Sequence, residues 1–261
     1  ALPVTLGQEF SGFASAVRRQ VKALRDLRGG CFELIMGGNA VGTGLGAAPG
    51  YTDAFYKHIS EIVGETVHPN PNLFDGFQNP DFFLAVSGSV KSFAVTLSKI
   101  SKDLRLMSSG PRAGWMEINL PALSPGSSIM PGKINPTVAE LIMHLCDKVF
   151  SNAAGLNIGV HSGWLGSDSH SSLPLKCMLD SCTLLSDGCE VFKRKVISGL
   201  TANKERSAEH ARMSLALQMP LAQIVGEDKA REVARYAYDN DLTLEDAYTK
   251  LEGNPAPDSL E

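Results

Sequence analysis

The sequence of 261 residues has no excess of basic residues and no long run of apolar ones. Lys and Arg number 24 against 28 Asp and Glu, for a net charge of −4. This excludes a general nucleic-acid-binding protein, because such proteins carry a basic excess or a basic stripe. Polar residues interrupt every apolar stretch well before about 18 positions, so no membrane span is expected. Aromatic residues make up only 7% of the chain, but hydrophobic residues make up 43%, which is enough to bury a sizeable core.

Paired cysteines are also missing, since none of the five cysteines is spaced as CxxC. The chain opens at Ala1 without the basic and apolar segments of a secretory signal peptide. An odd number of cysteines without such a signal predicts reduced thiols in a cytoplasmic protein. Each cysteine is expected to be a small buried hydrophobic residue. The five are Cys31, Cys146, Cys177, Cys182 and Cys189.

Long helical patterns dominate what is present. Apolar residues recur in alternating steps of three and four over four segments, which marks one face of a long helix in each. We therefore predict an all-α protein built as a bundle of long antiparallel helices, whose seams can also face other subunits. The four segments are Leu6 to Leu27, Phe83 to Met107, Val138 to Val149 and Leu175 to Val196.

Other segments predict shorter elements. Trp115 to Leu120 alternates apolar and polar residues, which predicts a short hairpin arm. A boundary near Leu200 to Asn203 is followed by shorter helical patterns. We expect residues 1–205 to form the central helical-bundle domain and residues 206–261 to form a small C-terminal helical domain with a solvated tail.

The segment 126–136, GSSIMPGKINP, carries the chemistry. Its composition is that of a flexible loop between a hairpin and a long helix, and loop formers are common at such junctions. Successive backbone N–H groups in such a loop can bind an anion, while Lys133 adds a cation and Asn135 an amide. A serine in this setting ionises only if such donors meet its alkoxide. Composition alone leaves both a plain loop and an anion site open.

This segment resembles the signature loop of the aspartase/fumarase superfamily, GSSxMPxKxNP, and matches each of its fixed positions. Other segments resemble the same family over roughly residues 1–250, nearly the whole chain. They are TLGQEF at 5–10, AVGTGL at 40–45, and the helix end and turn DLRLMSSGPRAG at 103–114.

The resemblance implies a homotetramer whose central domains join in a bundle of long helices, with each active site built from three subunits. It implies reversible anti elimination from a small dicarboxylate, in which ammonia leaves aspartate, or water leaves malate, to give fumarate. It also implies that no metal and no organic cofactor takes part in the chemistry.

The resemblance assigns roles to the loop residue by residue. Ser127 resembles the catalytic base, whose alkoxide removes a proton from the carbon beside a carboxylate. Lys133 and Asn135 match positions that hold the substrate carboxylate. By the same resemblance, the backbone N–H groups of Ser128, Ile129 and Met130 are expected to donate to the substrate or to the ionised serine.

Several segments favour aspartate ammonia-lyase within the family, among them QNPD at 78–81 and GLTAN at 199–203. The alternatives are a fumarate hydratase and a lyase for a substituted succinate. The substituted succinate stays open as a substrate because the chain departs from the family pattern. The expected Leu-Asn pair is absent from 162–172, and Asn39 and Gly46 replace the usual residues around AVGTGL.

Two further interpretations concern His161, Asp168 and His170. The three side chains could bind a metal ion, or a serine could join Asp168 and His170 in a hydrolase triad. Neither has a recognised spacing, so a solvated polar loop or an interface contact is favoured. A hypothesis of another class is a catalytically incomplete helical scaffold that keeps the loop without turnover.

The length of the chain bears on these hypotheses. Family chains carry an N-terminal domain before the segment at which this sequence begins. In the family, that domain holds threonines that bind the substrate and a histidine beside the catalytic centre. We therefore expect a fragment, a cleaved chain or one half of a split enzyme, with a separate N-terminal polypeptide as a candidate partner.

Overall fold

The computed structural model describes residues 2–123, 126–130, 133–161, 163–167 and 172–257. Helices dominate this part of the chain, as the all-α prediction requires, and the long-helix prediction is confirmed. The helices are α1 (Leu6–Leu27), α2 (Tyr51–Val63), α3 (Leu73–Gly76), α4 (Asp81–Met107), α5 (Thr137–Val160), α6 (Ser172–Lys195), α7 (Lys204–Arg212), α8 (Gln218–Val225), α9 (Glu227–Asn240) and α10 (Leu244–Glu252). Short 3₁₀ turns cover Arg28–Phe32, Ile197–Gly199 and Leu215–Leu217.

Strands are two residues long and form two small ladders. Strand β1 (Glu33–Leu34) pairs in parallel with β2 (His68–Pro69), and β3 (Ile118–Asn119) pairs antiparallel with β4 (Thr201–Ala202). The chain divides into two compact units. The first comprises Ala1–Gly12, Leu104–Pro121 and Leu200–Glu261, and the second comprises Phe13–Asp103 and Ala122–Gly199. The division of the chain at residue 205 stays a prediction, and the first unit adds residues 104–121 to the C-terminal helices.

Helices α5 and α6 pack against each other in opposite directions in the second unit. Gly159 of α5 lies so close to Pro174 of α6 that an added Cβ would be 2.5 Å from the proline Cδ. Near the opposite ends of the two helices, a Cβ added at Gly188 of α6 would be 2.9 Å from a methyl carbon of Leu145 of α5. Glycine at these places lets the two backbones approach closely.

A buried polar contact lies midway along this helix pair. The Nδ2 of Asn152 donates to the Oγ of Ser181 at 3.1 Å, and that hydroxyl donates to the carbonyl of Cys177 at 2.7 Å. Ser87 of α4 lines the same small cavity, so α4, α5 and α6 meet around it. The core of the second unit therefore contains buried polar groups, and each of those named here has a hydrogen-bond partner.

Helix α4 shows why the apolar spacing predicted a long helix. Its buried residues recur every three or four positions, as one helical face requires. They are Val90, Ala94, Leu97, Ile100, Leu104 and Met107. Within the described ranges, α4 is also the one helix that is long and apolar enough to cross a membrane, by length and composition. The expectation that no segment spans a membrane stays a prediction, and the buried stripe of α4 is the one that a core helix has.

The first unit has its own apolar core, formed by α8, α9 and α10. Its buried members are Leu221, Ala230, Val233, Ala234, Ala237, Leu244 and Ala247. Helix α10 begins at a capping residue, since the Oγ1 of Thr243 accepts from the backbone N–H of Asp246 at 3.0 Å. Such a cap satisfies one of the free donors in the first helical turn.

The predicted hairpin arm is wrong. Only Ile118 and Asn119 of that segment form a strand, and their partner is the distant β4. Met116 has a φ of +52°, in the left-handed region, which breaks the extended backbone that alternation alone predicts. The arm is therefore a folded connection followed by one short strand.

The cysteines do not share one environment. Cys146 and Cys177 are buried, as expected, and Cys189 is half-buried, whereas Cys31 and Cys182 are exposed. All five are free thiols. The expectation of a buried hydrophobic residue is thus wrong for Cys31, which lies in an exposed 3₁₀ turn, and for Cys182, which is not among the buried residues of α6.

Candidate active site

The signature loop is closed by its own backbone. The N–H of Gly126 donates to the carbonyl of Lys133 at 2.6 Å, and the N–H of Lys133 donates to the carbonyl of Met130 at 3.2 Å. A Cβ at residue 126 would lie 2.8 Å from the Lys133 carbonyl oxygen and 3.0 Å from the backbone nitrogen of Asn135. Only glycine fits this close approach, which explains its place at the start of the loop. Gly132, the other glycine of the segment, lies outside the described residues.

The hydroxyl of Ser127 faces two donors. Its Oγ accepts from the backbone N–H of Ile129 at 3.2 Å and from that of Met130 at 3.3 Å. A hydroxyl that accepts two N–H bonds has donors in place for the negative charge of an alkoxide. Two of the three N–H groups predicted to serve the substrate or the serine therefore point to the serine. Ser127 itself is half-buried, so solvent reaches the loop.

Asn135 and Lys133 are placed differently from each other. The Nδ2 of Asn135 donates to the carbonyl of Gly126 at 3.3 Å, so its amide joins the two ends of the loop. The side chain of Lys133 is exposed, and the structure fixes this residue through its main chain. The contact between Asn135 and the Gly126 carbonyl was not visible from the sequence, although a glycine at the loop entrance was a signal of close packing.

The side chains next to the serine point outward. Ser128 is exposed, and Ile129 exposes 84% of its surface. Met130 is also exposed. Only the backbone of these residues thus contributes to the environment of Ser127 among the described contacts. The arrangement can stabilise an oxyanion on the serine and present a cation and an amide at the far end of the same loop.

The AVGTGL turn is a structural element that depends on glycine. Gly42 has a φ of +101°, and an added Cβ would lie 2.8 Å from backbone atoms of Leu73 and Phe74. The Oγ1 of Thr43 accepts from the N–H of Leu45 at 3.2 Å, which is a local turn contact. This agrees with a structural role for Thr43.

The departures at Asn39 and Gly46 have a local structural account. Asn39 adopts a φ of +54° and donates through Nδ2 to the carbonyl of Leu45 at 2.5 Å. Gly46 has a φ of +85°. Asparagine and glycine are the residues that best tolerate left-handed conformations, so both replacements suit this backbone.

A tight turn replaces the Leu-Asn pair of the family pattern. Trp164 and Ser167 exchange two backbone hydrogen bonds, of 3.0 and 3.1 Å, and Leu165 at the tip is 99% exposed. The turn lies against the AVGTGL segment, since a Cβ at Gly166 would be 3.6 Å from a methyl group of Val41. The two departures from the family pattern are therefore neighbours in the second unit.

The metal and triad interpretations are not tested by the structure. His161 is exposed at the end of α5, while Asp168 and His170 lie outside the described residues. Among the side chains that are described, no three His, Cys, Asp or Glu residues come together as metal ligands.

An open apolar depression of about 330 Å³ lies on α2 in the second unit, and its only titratable lining groups are Tyr51 and His58. It has none of the loop residues named above. Its lining is Tyr51, Ala54, Phe55, His58, Ile59 and Ile62. The signature loop, and not this depression, carries the polar groups expected of an active site.

Comparison with known proteins decides the family. Residues 1–151 match the family model described as lyase. The chain is 39% identical over 251 residues to a fumarate hydratase class II of Pseudomonas syringae. The aligned region covers 96% of this chain and 54% of that relative. The chain belongs to the aspartase/fumarase superfamily. An aspartate ammonia-lyase of Helicobacter pylori is another member, 36% identical over 94% of this chain and 53% of its own length.

Solved structures of the aspartase/fumarase superfamily share the fold. A fumarate lyase:delta crystallin of Brucella melitensis superposes with a TM-score of 0.92 at 35% identity, covering 97% of this chain and 55% of that one. A class II fumarase of Schistosoma mansoni gives a TM-score of 0.89 at 29% identity, covering 96% and 56%. The chain thus spans about half the length of the relatives it matches. Fumarate hydratases and aspartate ammonia-lyases match it comparably, so the comparisons do not favour one activity.

Proposed function

We propose that this chain carries the serine base of a lyase that forms fumarate by anti elimination from a succinate-type substrate, with L-aspartate as the first candidate. One observation supports the proposal above the others. The Oγ of Ser127 accepts from the backbone N–H groups of Ile129 and Met130. Those two donors are what a serine needs to act as a base, because its hydroxyl ionises far above neutral pH without them.

The proposed reaction moves one proton and one pair of electrons. The Ser127 alkoxide takes a proton from the carbon beside a substrate carboxylate. The carboxylate becomes a dianionic aci-carboxylate, and its developing charge requires preorganised donors and cations. When the electron pair returns, the carbon–carbon double bond forms and the bond to the leaving group breaks. Ammonia leaves, fumarate remains, and Ser127 returns its proton to solvent.

Lys133 and Asn135 are the proposed ligands of the substrate carboxylate. The exposed ammonium group of Lys133 is free to swing toward a bound anion, which suits a point charge on a flexible stem. The amide of Asn135 bonds to the Gly126 carbonyl in this structure, so substrate binding in this proposal exchanges that bond for one to the carboxylate. The conformation of the loop and substrate binding are coupled as a result.

L-Malate is the second candidate substrate. Relatives named fumarate hydratase class II match the chain at 37–39% identity over 96% of its length, against 35–36% for those named aspartate ammonia-lyase. The same serine base serves both reactions, because water and ammonia leave from the carbon next to the one that is deprotonated. A substituted succinate is the third candidate, supported by the changed turn at 163–167.

We also propose that the protein works as a homotetramer in the cytoplasm, with sites completed by neighbouring subunits. Long bundle helices with apolar outer residues support association, because such residues are covered when helices of other copies pack on them. They include Val95 of α4, Leu141 and Ile158 of α5, and Leu175 and Leu179 of α6. Five free thiols fit a reducing compartment. A separate polypeptide that supplies the remaining part of the family chain is a further proposed partner.

The ultraviolet absorbance of fumarate tests the proposed activity. L-Aspartate, L-malate and substituted succinates are added in turn to the purified protein, alone and with the N-terminal part of a relative. Fumarate formed from one substrate assigns the reaction, and it rules out the scaffold hypothesis. No product in any arm, from protein that is folded by circular dichroism, contradicts the lyase and leaves a scaffold that keeps the loop. Intact mass before and after denaturation shows whether a second polypeptide is bound.

A further inference from the structure

Two free thiols lie near each other at the surface of the second unit. Cys31 is in the 3₁₀ turn Arg28–Phe32 that follows α1, and Cys182 is on α6. Both residues are exposed. Neighbouring atoms still shield the Cys182 sulfur enough to raise the pKa of its thiol, and the nearby Cys31 thiol raises that pKa further. Ionisable groups act on each other in this way when they share a site.

Helix α4 is the common neighbour of the two segments that carry these thiols. A Cβ added at Gly30, the residue before the first thiol, would lie 2.4 Å from a ring carbon of Phe82, in the first turn of α4. Ser181, the residue before the second thiol, lines the same small cavity as Ser87 of α4. Five residues span only about 7.5 Å along a helix axis. The turn and α6 therefore approach α4 at neighbouring points.

The turn that carries Cys31 has room to adjust. Gly29 and Gly30 precede the cysteine, and glycine restricts the backbone least. A Cβ added at Gly29 would have no atom within 4 Å, so open space lies beside the turn. A disulfide requires the two Cα atoms to lie within about 7 Å of each other. Two glycines beside open space let the turn meet this requirement while α6 stays in its contact with α5.

A second pair of thiols lies in a different environment. Burial, Asp147 and Cys189 raise the pKa of the Cys146 thiol to about 11. Cys146 is fully buried, and Cys189 on α6 is half-buried. Oxidation of cysteine follows exposure and thiolate character. An oxidant in water therefore reaches the exposed pair before the buried one.

We propose that Cys31 and Cys182 are a modification site, at which a hydroperoxide forms a reversible disulfide between α6 and the turn after α1. The proposal does not depend on the lyase activity. In a reducing compartment such a bond is transient and responds to oxidants. Residues 31–45 run from the turn through β1 into the AVGTGL segment, so the bond ties that part of the chain to α6.

The oxidation takes place in two displacements. The thiolate of Cys31 attacks one oxygen of the hydroperoxide, the O–O bond breaks, and a sulfenic acid forms on Cys31. The thiolate of Cys182 then attacks that sulfur, the S–S bond forms, and the S–O bond breaks. The protons released by the two thiols convert both departing oxygens to water when the oxidant is hydrogen peroxide. The two thiols lose two electrons, which reduce the peroxide.

Peptide mapping of the complete chain under non-reducing conditions tests the bond. The protein is treated with hydrogen peroxide, the remaining thiols are alkylated, and the digest is analysed by mass spectrometry. We expect a peptide that contains Cys31 linked to one that contains Cys182, and its separation into two peptides after dithiothreitol. The yield should not depend on protein concentration, because the bond forms within one chain.

Cys182→Ser separates the two displacements. This variant should stop at the sulfenic acid of Cys31, which dimedone labels. We expect about tenfold more label on Cys31 than in the wild type, where Cys182 consumes the sulfenic acid. The matched control is Cys189→Ser, which removes a half-buried thiol of the same helix and should leave the linked peptide unchanged.

Three results would overturn the site. One is equal labelling of Cys31 in Cys182→Ser and in the wild type. Another is the absence of the linked peptide, or a linked peptide that joins other cysteines instead. The last is alkylation of Cys182 in the untreated protein that is as slow as that of the buried Cys146, because the sulfur is then covered in the assembled protein.

Discussion

The Oγ of Ser127 lies 3.3 Å from the backbone nitrogen of Met130, three residues further along the same loop. Ile129 adds a second N–H at 3.2 Å. Because both donors belong to the backbone, only a proline at 129 or 130 would remove either of them directly. The environment of the serine is therefore set by the conformation of the loop. That conformation depends on Gly126, because a Cβ there would lie 2.8 Å from the Lys133 carbonyl oxygen.

Replacing Ser127 tests its role as the base. Ser127→Ala is expected to lower fumarate formation by about 10²–10⁴-fold, the usual contribution of a positioned general base. The matched control is Ser128→Ala, which removes an adjacent, exposed hydroxyl. Steady-state rates with saturating substrate provide the measurement. Equal losses in the two variants would contradict the assignment of Ser127 as the base.

Gly126→Ala is expected to disturb the loop without unfolding the protein. The added Cβ would lie 2.8 Å from the Lys133 carbonyl oxygen, so the closing hydrogen bond of 2.6 Å cannot persist unchanged. We expect kcat to fall about tenfold to a hundredfold, as misplaced catalytic groups do, with little change in Tm. Rates and thermal unfolding are measured on the same samples. An active Gly126→Ala enzyme would show that loop closure is unnecessary.

Two other glycines are expected to respond in opposite directions. Gly88 lies inside α4 with no atom within 4 Å of an added Cβ, so Gly88→Ala should stabilise the protein by about 1 kcal/mol. Gly159→Ala should destabilise it by about 1–3 kcal/mol, because its Cβ would overlap the ring of Pro174. Denaturant unfolding gives both values. Destabilisation by both substitutions, to the same extent, would contradict the close contact between α5 and α6.

Alkaline pH should weaken the fold through Cys146. Burial raises the pKa of this thiol from 9.0 to about 11. Since the folded state then keeps a proton that the unfolded state releases, the free energy of unfolding is unaffected below about pH 9 and falls as the pH rises toward about 11. Cys146→Ala should flatten that decline, whereas Cys31→Ala, at an exposed site, should leave it unchanged. Unfolding in denaturant at a series of alkaline pH values measures the slope. A wild-type slope in Cys146→Ala would show that other groups cause the decline.

The long helices could be predicted from the sequence because their information is local. In α4 the spacing of Val90, Leu97 and Leu104 fixes one face of the helix by itself. The position of Ser127 in a loop before a helix could also be predicted, from the glycines and prolines around it. The resemblance of the motif then supplied the chemical role proposed for it.

The pairing of β3 with β4 could not be predicted in this way. The two strands are separated by more than eighty residues, and two residues of alternating pattern cannot identify a partner at that distance. The contact of Asn135 with the Gly126 carbonyl was hidden for a related reason. It depends on how the loop folds back on itself, which composition does not determine. The left-handed conformation of Met116 likewise comes from its surroundings and not from its side chain.

The hydrogen bond between Asn152 and Ser181 limits how α5 and α6 can be aligned. Apolar side chains along two helices can mesh in several axial offsets that differ by one turn, with similar free energies. Sliding α6 by one turn would move the hydroxyl of Ser181 about 5.4 Å away and leave the buried amide of Asn152 without that partner. The penalty for that unpaired amide disfavours the shifted alignments, so this polar pair, together with the close contacts at Gly159 and Gly188, selects one of several packings of the same helices.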